Sequence, residues 1–169
     1  MLWHSSKPII ARVAGPARAG GIGLLGACDL VVCTTEATFA FTEVRLGLVP
    51  AVISATVLPR LLAPAAHELF LTGETFDGPR AVHIGLATAA VDSGDLDDEV
   101  QRYADMLLRA APGALAATKE LLRRHPAPGI GDLAALAELS ARHFTGAEGQ
   151  EGIAAFAAKR DPSWLPPSD

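Results

Sequence analysis

The sequence predicts an α/β fold in which a glycine-rich first half feeds an all-helical second half. Three observations lead there: short β-branched runs bounded by Gly and Pro as far as Val91, a glycine cluster opening a helix between the first two of those runs, and four amphipathic segments between Leu96 and Lys159. Half of the 169 residues are hydrophobic and a fifth are charged, enough for one full core, so one domain or most of one is expected.

Ile9 to Val13, between Pro8 and Gly15-Pro16, reads as a buried strand entering a sharp turn. Gly20, Gly21, Gly23 and Gly26 then head an apolar helix to Cys28, and Leu30 to Cys33 is the second strand. Thr38 to Thr42 alternates Thr and Ala with Phe and predicts another strand, with Glu43 at its end and a turn from Leu46 to Pro50 beyond. Helical spacing begins at Ser54, with Val57, Leu58, Leu61 and Leu62 on one face, and Pro59 should kink or end that helix. Ala65 to Leu71 is a second helix closed by Thr72-Gly73, Asp77 to Gly85 a short capped one, and Leu86 to Val91 a strand. The four later segments, Leu96 to Ala110, Pro112 to Arg124, Ile130 to Phe144 and Glu148 to Lys159, are separated by Pro112, by a Pro-Ala-Pro-Gly linker at Pro126, and by Thr145-Gly146. The expected division is residues 1–93 for the core and residues 94–169 for the helical region. About four strands, the first close to Met1, would leave an open sheet edge unless something covers it.

A net charge of −5 and a pI near 5.5 exclude a nucleic-acid partner, which needs a basic face to release counterions. The start has no basic region followed by an apolar run, and no later stretch is apolar for long enough to span a bilayer, so no membrane is expected and the cytoplasm is the expected compartment. Cys28 and Cys33 stand without a Cys or His cluster, which predicts buried free thiols and no metal site. The histidines, at positions 4, 67, 83, 125 and 143, have no metal-ligand spacing and receive no role.

Gly21-Ile22-Gly23-Leu24-Leu25-Gly26 matches the dinucleotide fingerprint G-x-G-x-x-G, and Glu43 follows near the distance of a ribose-binding acid. The frame disagrees, because seven residues from Ala14 to Gly20 separate the strand from the fingerprint and Glu43 lies well beyond the second strand. Another reading uses the backbone: glycine at a helix N-terminus lets an oxyanion approach unpaired N–H groups in the field of the helix dipole. A third is a plain helix-entry turn packed on a sheet. For Glu43 the bland reading is a surface acid paired with Arg45.

Lys7-Pro8-Ile9-Ile10-Ala11-Arg12-Val13-Ala14-Gly15, Ala19-Gly20-Gly21, Ala27-Cys28-Asp29-Leu30 and the run from Phe39 to Pro50 together resemble the core signature of enoyl-CoA hydratases and isomerases, the crotonase family. Leu71-Thr72-Gly73-Glu74, Gly85-Leu86, Thr118-Lys119-Glu120 and Glu151 to Phe156 with Lys159-Arg160 resemble its later landmarks in the same order. The resemblance implies a crotonase-like ββα superhelix, here incomplete, followed by a C-terminal helical trimerisation region.

It also implies an acyl-CoA substrate with no further cofactor, and a homotrimer or hexamer. One of the two backbone N–H groups that hold the thioester carbonyl in that family falls on Gly20. Of the family's paired glutamates, the second falls on Glu43 and the first on Gly23, which leaves one acid/base group. Phe156 and Lys159 fall where a neighbouring subunit's terminal helix reaches the CoA adenine and phosphates; a core Phe and a solvated Lys are the plain alternative. A single carboxylate suffices to shift a double bond, yet the segment from Glu43 to Pro50 resembles hydratases that also carry glycine at the first position. A hydratase is the expectation, with an isomerase or an inactive chain as alternatives. The family's usual N-terminal portion, with the other oxyanion N–H, is expected to be missing before Lys7, and Ala51-Val52-Ile53-Ser54 lacks the glycine run found in many members.

Overall fold

The computed structural model describes residues 2–124 and 130–166, and the linker expected at Pro126 lies outside them. The chain divides into two compact units, one holding Ile9–Tyr103 with the first residues to Ser5, the other Ser6–Pro8 with Ala104 onward.

In the first unit, β1 (Ile10–Val13) pairs in parallel with β3 (Leu30–Thr34), and β3 in parallel with β6 (Ala89–Val91). The register sets Val13 opposite Cys33 and Cys33 opposite Ala90. The β-branched stretch of β3 is buried on both faces, with Val31, Val32 and Cys33 fully enclosed, as parallel sheets require. Between β1 and β3 the chain makes β2 (Ala17–Arg18) and α1 (Gly20–Ala27). β2 escapes sequence reading because it has two residues and is held from afar: Arg18 donates to the Thr38 carbonyl and, at 2.9 Å, to the Thr38 hydroxyl. It pairs in parallel with β4 (Thr38–Ala40), which pairs antiparallel with β5 (Phe76–Asp77). Phe39 stacks on Phe76 at 5.6 Å between ring centroids and Phe41 meets Phe70 at 4.3 Å, which places the aromatic part of the core under this small sheet.

The strand expected over Thr38 to Thr42 stops at Ala40 and gives way to a 3₁₀ turn, Thr42–Leu46, closed by Gly47 in the left-handed region at φ 71°. Its partner is the cause: Ala19, at φ 45°, swings the chain out of β2 into α1, so no ladder is available beyond Ala40 on that side. Glu43 therefore lies in the first turn of a 3₁₀ segment and not at a strand end.

α2 (Ala51–Val57) starts three residues earlier than expected and ends two before Pro59, since proline has no N–H with which to continue the helical ladder. The face expected from Val57, Leu58, Leu61 and Leu62 is consequently broken, with Val57 and Leu61 buried and Leu58 and Leu62 exposed. α3 (Ala63–Thr72) ends on Gly73 in the left-handed conformation, and α4 (Gly78–His83) is capped by Asp77, whose Oδ1 accepts from the Arg80 N–H at 2.9 Å. Of the strand expected over Leu86 to Val91 only Ala89–Val91 pairs, while Leu86 and Ala87 fill the core instead. Both cysteines are free and buried; burial, aided by the charge of Asp77, pushes the Cys33 thiol up to about 11, which keeps it an unreactive thiol.

α5 (Leu96–Leu108) leads into the second unit, where α6 (Pro112–Leu122), α7 (Leu133–Thr145) and α8 (Ala147–Ala158) follow the expected segments within a few residues. The orphan N–H groups at the start of α6 are met from α8: Glu148 accepts from Gly113 at 2.8 Å and from Ala114 at 3.2 Å. Glu151 binds both nitrogens of Arg160, at 2.7 and 2.9 Å, and the Ser163 N–H at 2.8 Å, which ties the end of the described chain to α8.

Candidate active site

Parallel neighbours bring their C-terminal ends together. Because Ala17 faces Phe39 and Arg18 faces Ala40, Gly20 and Glu43 emerge two and three residues past the same strand end, and the Ala19 N–H donates to the Ala40 carbonyl at 3.4 Å. Carboxyl ends of parallel strands are where α/β folds hold ligands.

Gly20 is the first residue of α1, so its N–H has no partner within the helix, and no other carbonyl among the described residues accepts from it. A Cβ built there would meet nothing within 4 Å, so the position is open to an approaching ligand. Glu43 is half-buried, and its Oε2 is shielded from solvent with no hydrogen-bond partner among the described residues. The acid is not neutralised by Arg45: that guanidinium donates from Nε to the Thr72 carbonyl at 3.2 Å, at the end of α3, and no ion pair joins the two among the described residues. A buried carboxylate oxygen without a partner carries a desolvation penalty of roughly 1–3 kcal/mol or more, and the same isolation leaves it free to take a proton.

The glycine fingerprint resolves differently. All three of its glycines lie inside α1 and not in a loop ahead of it. A Cβ at Gly23 would stand 2.6 Å from Cγ2 of Ile53 and 3.1 Å from its Cβ, and one at Gly26 would stand 2.9 Å from the backbone of Thr56. The Thr56 hydroxyl donates to the Gly23 carbonyl at 2.9 Å. These glycines let α1 and α2 touch; they do not cradle a pyrophosphate. The 20–26 segment thus separates into an open glycine, Gly20, and two contact glycines. Ile53 was missed by sequence reading, and the pair of glycines three apart on one helix was the signal for a close neighbour.

Phe156 and Lys159 belong to the second unit. Phe156 is 87% exposed on α8, so it is not a core residue. Lys159 is also exposed but lies past the helix end, capping α8 in the left-handed conformation at φ 52°. Among the described residues no group of three or more His, Cys, Asp or Glu could hold a metal ion, and no helix is long and apolar enough to cross a membrane.

The family model for enoyl-CoA hydratase/isomerase matches residues 1–166. A Thermus thermophilus protein with the provisional name enoyl-CoA hydratase is 42% identical over 159 residues, covering 92% of this chain and 62% of its own length. A carnitinyl-CoA dehydratase from Citrobacter koseri is 36% identical, covering 96% of this chain and 65% of its own. A solved Legionella pneumophila structure, provisionally named an enoyl-CoA hydratase/isomerase (crotonase), superposes with a TM-score of 0.89 at 38% identity over 96% of this chain and 64% of that one. The chain thus spans somewhat less than two thirds of the length of these relatives and has the crotonase fold over that part. With the family model covering almost every residue, this chain belongs to the enoyl-CoA hydratase/isomerase family.

Proposed function

We propose that the site handles an enoyl-CoA thioester, with the Gly20 N–H polarising the thioester carbonyl and Glu43 moving protons as its single acid/base group. The observation that carries this reading is the enclosed, unpartnered Oε2 of Glu43 at the same strand end as an open helix N-terminus. Charge developing on the carbonyl oxygen is met by an N–H already oriented by α1, and loss of one such donor typically costs about 10²- to 10³-fold in rate.

Isomerisation is the reaction this geometry supports best. Glu43 removes a proton from Cα of a 3-enoyl thioester, the electrons shift into a dienolate held at Gly20, and the same carboxyl returns the proton to Cγ, leaving the 2-enoyl thioester. No water is consumed and no second acid is needed, and Gly23 offers none. Hydration is the second reading, favoured by relatives named as hydratases and dehydratases. There Glu43 takes a proton from water as its oxygen bonds to Cβ, and then protonates Cα. Incubating the protein with a 3-enoyl-CoA and with a 2-enoyl-CoA, each in ¹⁸O-labelled water, separates the two by whether label enters the acyl chain. Absence of any Glu43-dependent conversion of either substrate overturns the reading.

The exposed ring of Phe156 and the cation of Lys159 suit the adenine and phosphates of CoA held by a neighbouring subunit, with the helices from residue 94 onward building a cytoplasmic homotrimer or hexamer. Light scattering coupled to size exclusion tests the assembly; a monomer at working concentration overturns it.

A further inference from the structure

The 3₁₀ turn that carries Glu43 is tied to one helix, α3, on both sides of that residue. Ahead of it, the fully buried Phe41 packs on Phe70 of α3 with ring centroids 4.3 Å apart. After it, Nε of Arg45 donates to the Thr72 carbonyl at 3.2 Å. That carbonyl is one of the last four of α3, which find no donor within the helix, and the negative end of the helix dipole favours a cation there. Gly73 makes room for both ties. It closes α3 at φ 62°, and a Cβ on it would stand 3.1 Å from the Phe41 carbonyl oxygen, 3.1 Å from Nε of Arg45 and 3.2 Å from its Cγ.

The turn needs such support. Hydrogen bonds in 3₁₀ segments are poorly aligned and runs beyond about three or four residues are uncommon, yet this one has five. The Leu48 N–H donates to the Glu43 carbonyl at 2.9 Å, which fixes the backbone locally. Oε2 of the side chain has no partner of its own, so the place of the carboxyl is set by the turn beneath it. We propose that Arg45 is a positioning residue for Glu43: through the Thr72 carbonyl, with Gly73 clearing the space, it holds the turn and so the carboxyl in register with Gly20. This rests on the reading of Glu43 as the acid/base group. Holding the turn requires only an N–H where Nε stands, whereas action by charge on the carboxylate would require a cation. Glutamine separates the two, because its Nε2 is as many bonds from Cα as Nε of arginine is. Arg45→Gln therefore keeps the donor and removes the charge, while Arg45→Met puts a methyl group there and removes both.

The test assays the parent, Arg45→Met, Arg45→Gln, Glu43→Gln and the Arg45→Met/Glu43→Gln double variant on hex-3-enoyl-CoA and hex-2-enoyl-CoA. kcat and KM are taken for whichever the parent converts faster, with Tm measured alongside. Arg45→Met should lower kcat by about tenfold, since a reacting group misplaced by about 1 Å can cost about 10²-fold and the Phe41 side of the turn stays anchored. KM should stay within about twofold of the parent, and Arg45→Gln should recover most of the rate. Both Arg45 variants should keep Tm within about 2 °C, because the side chain is exposed. In the Glu43→Gln background Arg45→Met should cost nothing further, as expected of residues that act as a unit. Parent kcat in Arg45→Met, with Glu43→Gln impaired, overturns the inference and leaves the Glu43 chemistry standing. A loss that glutamine does not recover, that persists without Glu43, or that follows a fall in Tm overturns it as well. Parent rate in Glu43→Gln, or no conversion of either thioester by the parent, overturns the reading of Glu43 and the inference with it.

Discussion

Gly23→Ala isolates the contact that shapes the candidate site. In a helix interior alanine is better than glycine by about 1 kcal/mol, so propensity alone favours the variant. Packing opposes it, because the new methyl would stand 2.6 Å from Cγ2 of Ile53, 3.1 Å from its Cβ and 3.5 Å from its Cα. Rotating Ile53 about χ1 moves Cγ2 but neither of the other two atoms, and a β-branched residue that is only 6% exposed has little freedom to turn. Overpacking of this kind costs about 1–3 kcal/mol; with a contact this short the upper part of that range applies, and the net loss is about 1–2 kcal/mol. For a chain of this size that lowers Tm by roughly 2–8 °C. Ile53→Ala costs about 2–5 kcal/mol by itself, but in that background Gly23→Ala should be close to neutral, since the 2.6 Å contact with Cγ2 is gone while the 3.1 Å contact with Cβ remains and offsets the gain of about 1 kcal/mol in helix propensity. Thermal unfolding of the four proteins, followed by circular dichroism, gives the coupling, expected near 1–2 kcal/mol. A rise in Tm on Gly23→Ala with Ile53 present, or simple additivity of the two changes, refutes the reasoning.

Glu43→Gln should cut turnover of the accepted enoyl-CoA by about 10²-fold or more without lowering Tm, because the change removes a general base and also an unpaired buried carboxylate; a fall in Tm equal to that of a packing mutant would mark Glu43 as structural. Glu148→Ala should lower stability by about 0.5–2 kcal/mol through the lost cap on α6, read as a Tm shift, while Glu148→Gln should recover part of it. Arg160, with the Ser163 N–H, holds the Glu151 carboxyl at about 2 against an ordinary 4.5. Since the folded value is the lower one, the stabilisation is present above about pH 4.5 and is lost as pH falls toward 2. The Tm difference between the protein and Glu151→Gln should therefore be full at pH 6 and closed near pH 2, and it should shrink in high salt because the pair is exposed.

Elements specified by their own residues were legible in the sequence. The β-branched run of β1, the helix after the glycine cluster, the stop before Pro59 and the left-handed cap at Gly73 all follow from local chemistry. What was not legible depends on a partner. β2 exists because Arg18 reaches Thr38, twenty residues on, and β4 ends at Ala40 because β2 turns away, which moves Glu43 from a strand end into a 3₁₀ turn. Gly20 and Glu43 could be named from the chain's resemblance to its family. That Oε2 of Glu43 is enclosed and that Arg45 turns instead to the Thr72 carbonyl needed coordinates, since the spacing of Glu43 and Arg45 permits an ion pair.

The two departures from the family pattern, glycine at position 23 and the missing glycine run over Ala51-Val52-Ile53-Ser54, meet where Gly23 of α1 faces Ile53 of α2. The helices approach too closely for both positions to carry side chains, as the 2.6 Å separation at Gly23 shows. Ile53 fills the α2 side of the contact in this chain, so position 23 has no room there for a longer side chain. Gly23→Glu alone should therefore destabilise the protein without creating a second acid, because the new side chain has no path past Ile53. Gly23→Glu with Ile53→Gly should fold better than the single variant and raise the ratio of ¹⁸O incorporation to double-bond shift. If the single variant folds at the parent Tm and gains hydration, the contact does not govern the chemistry.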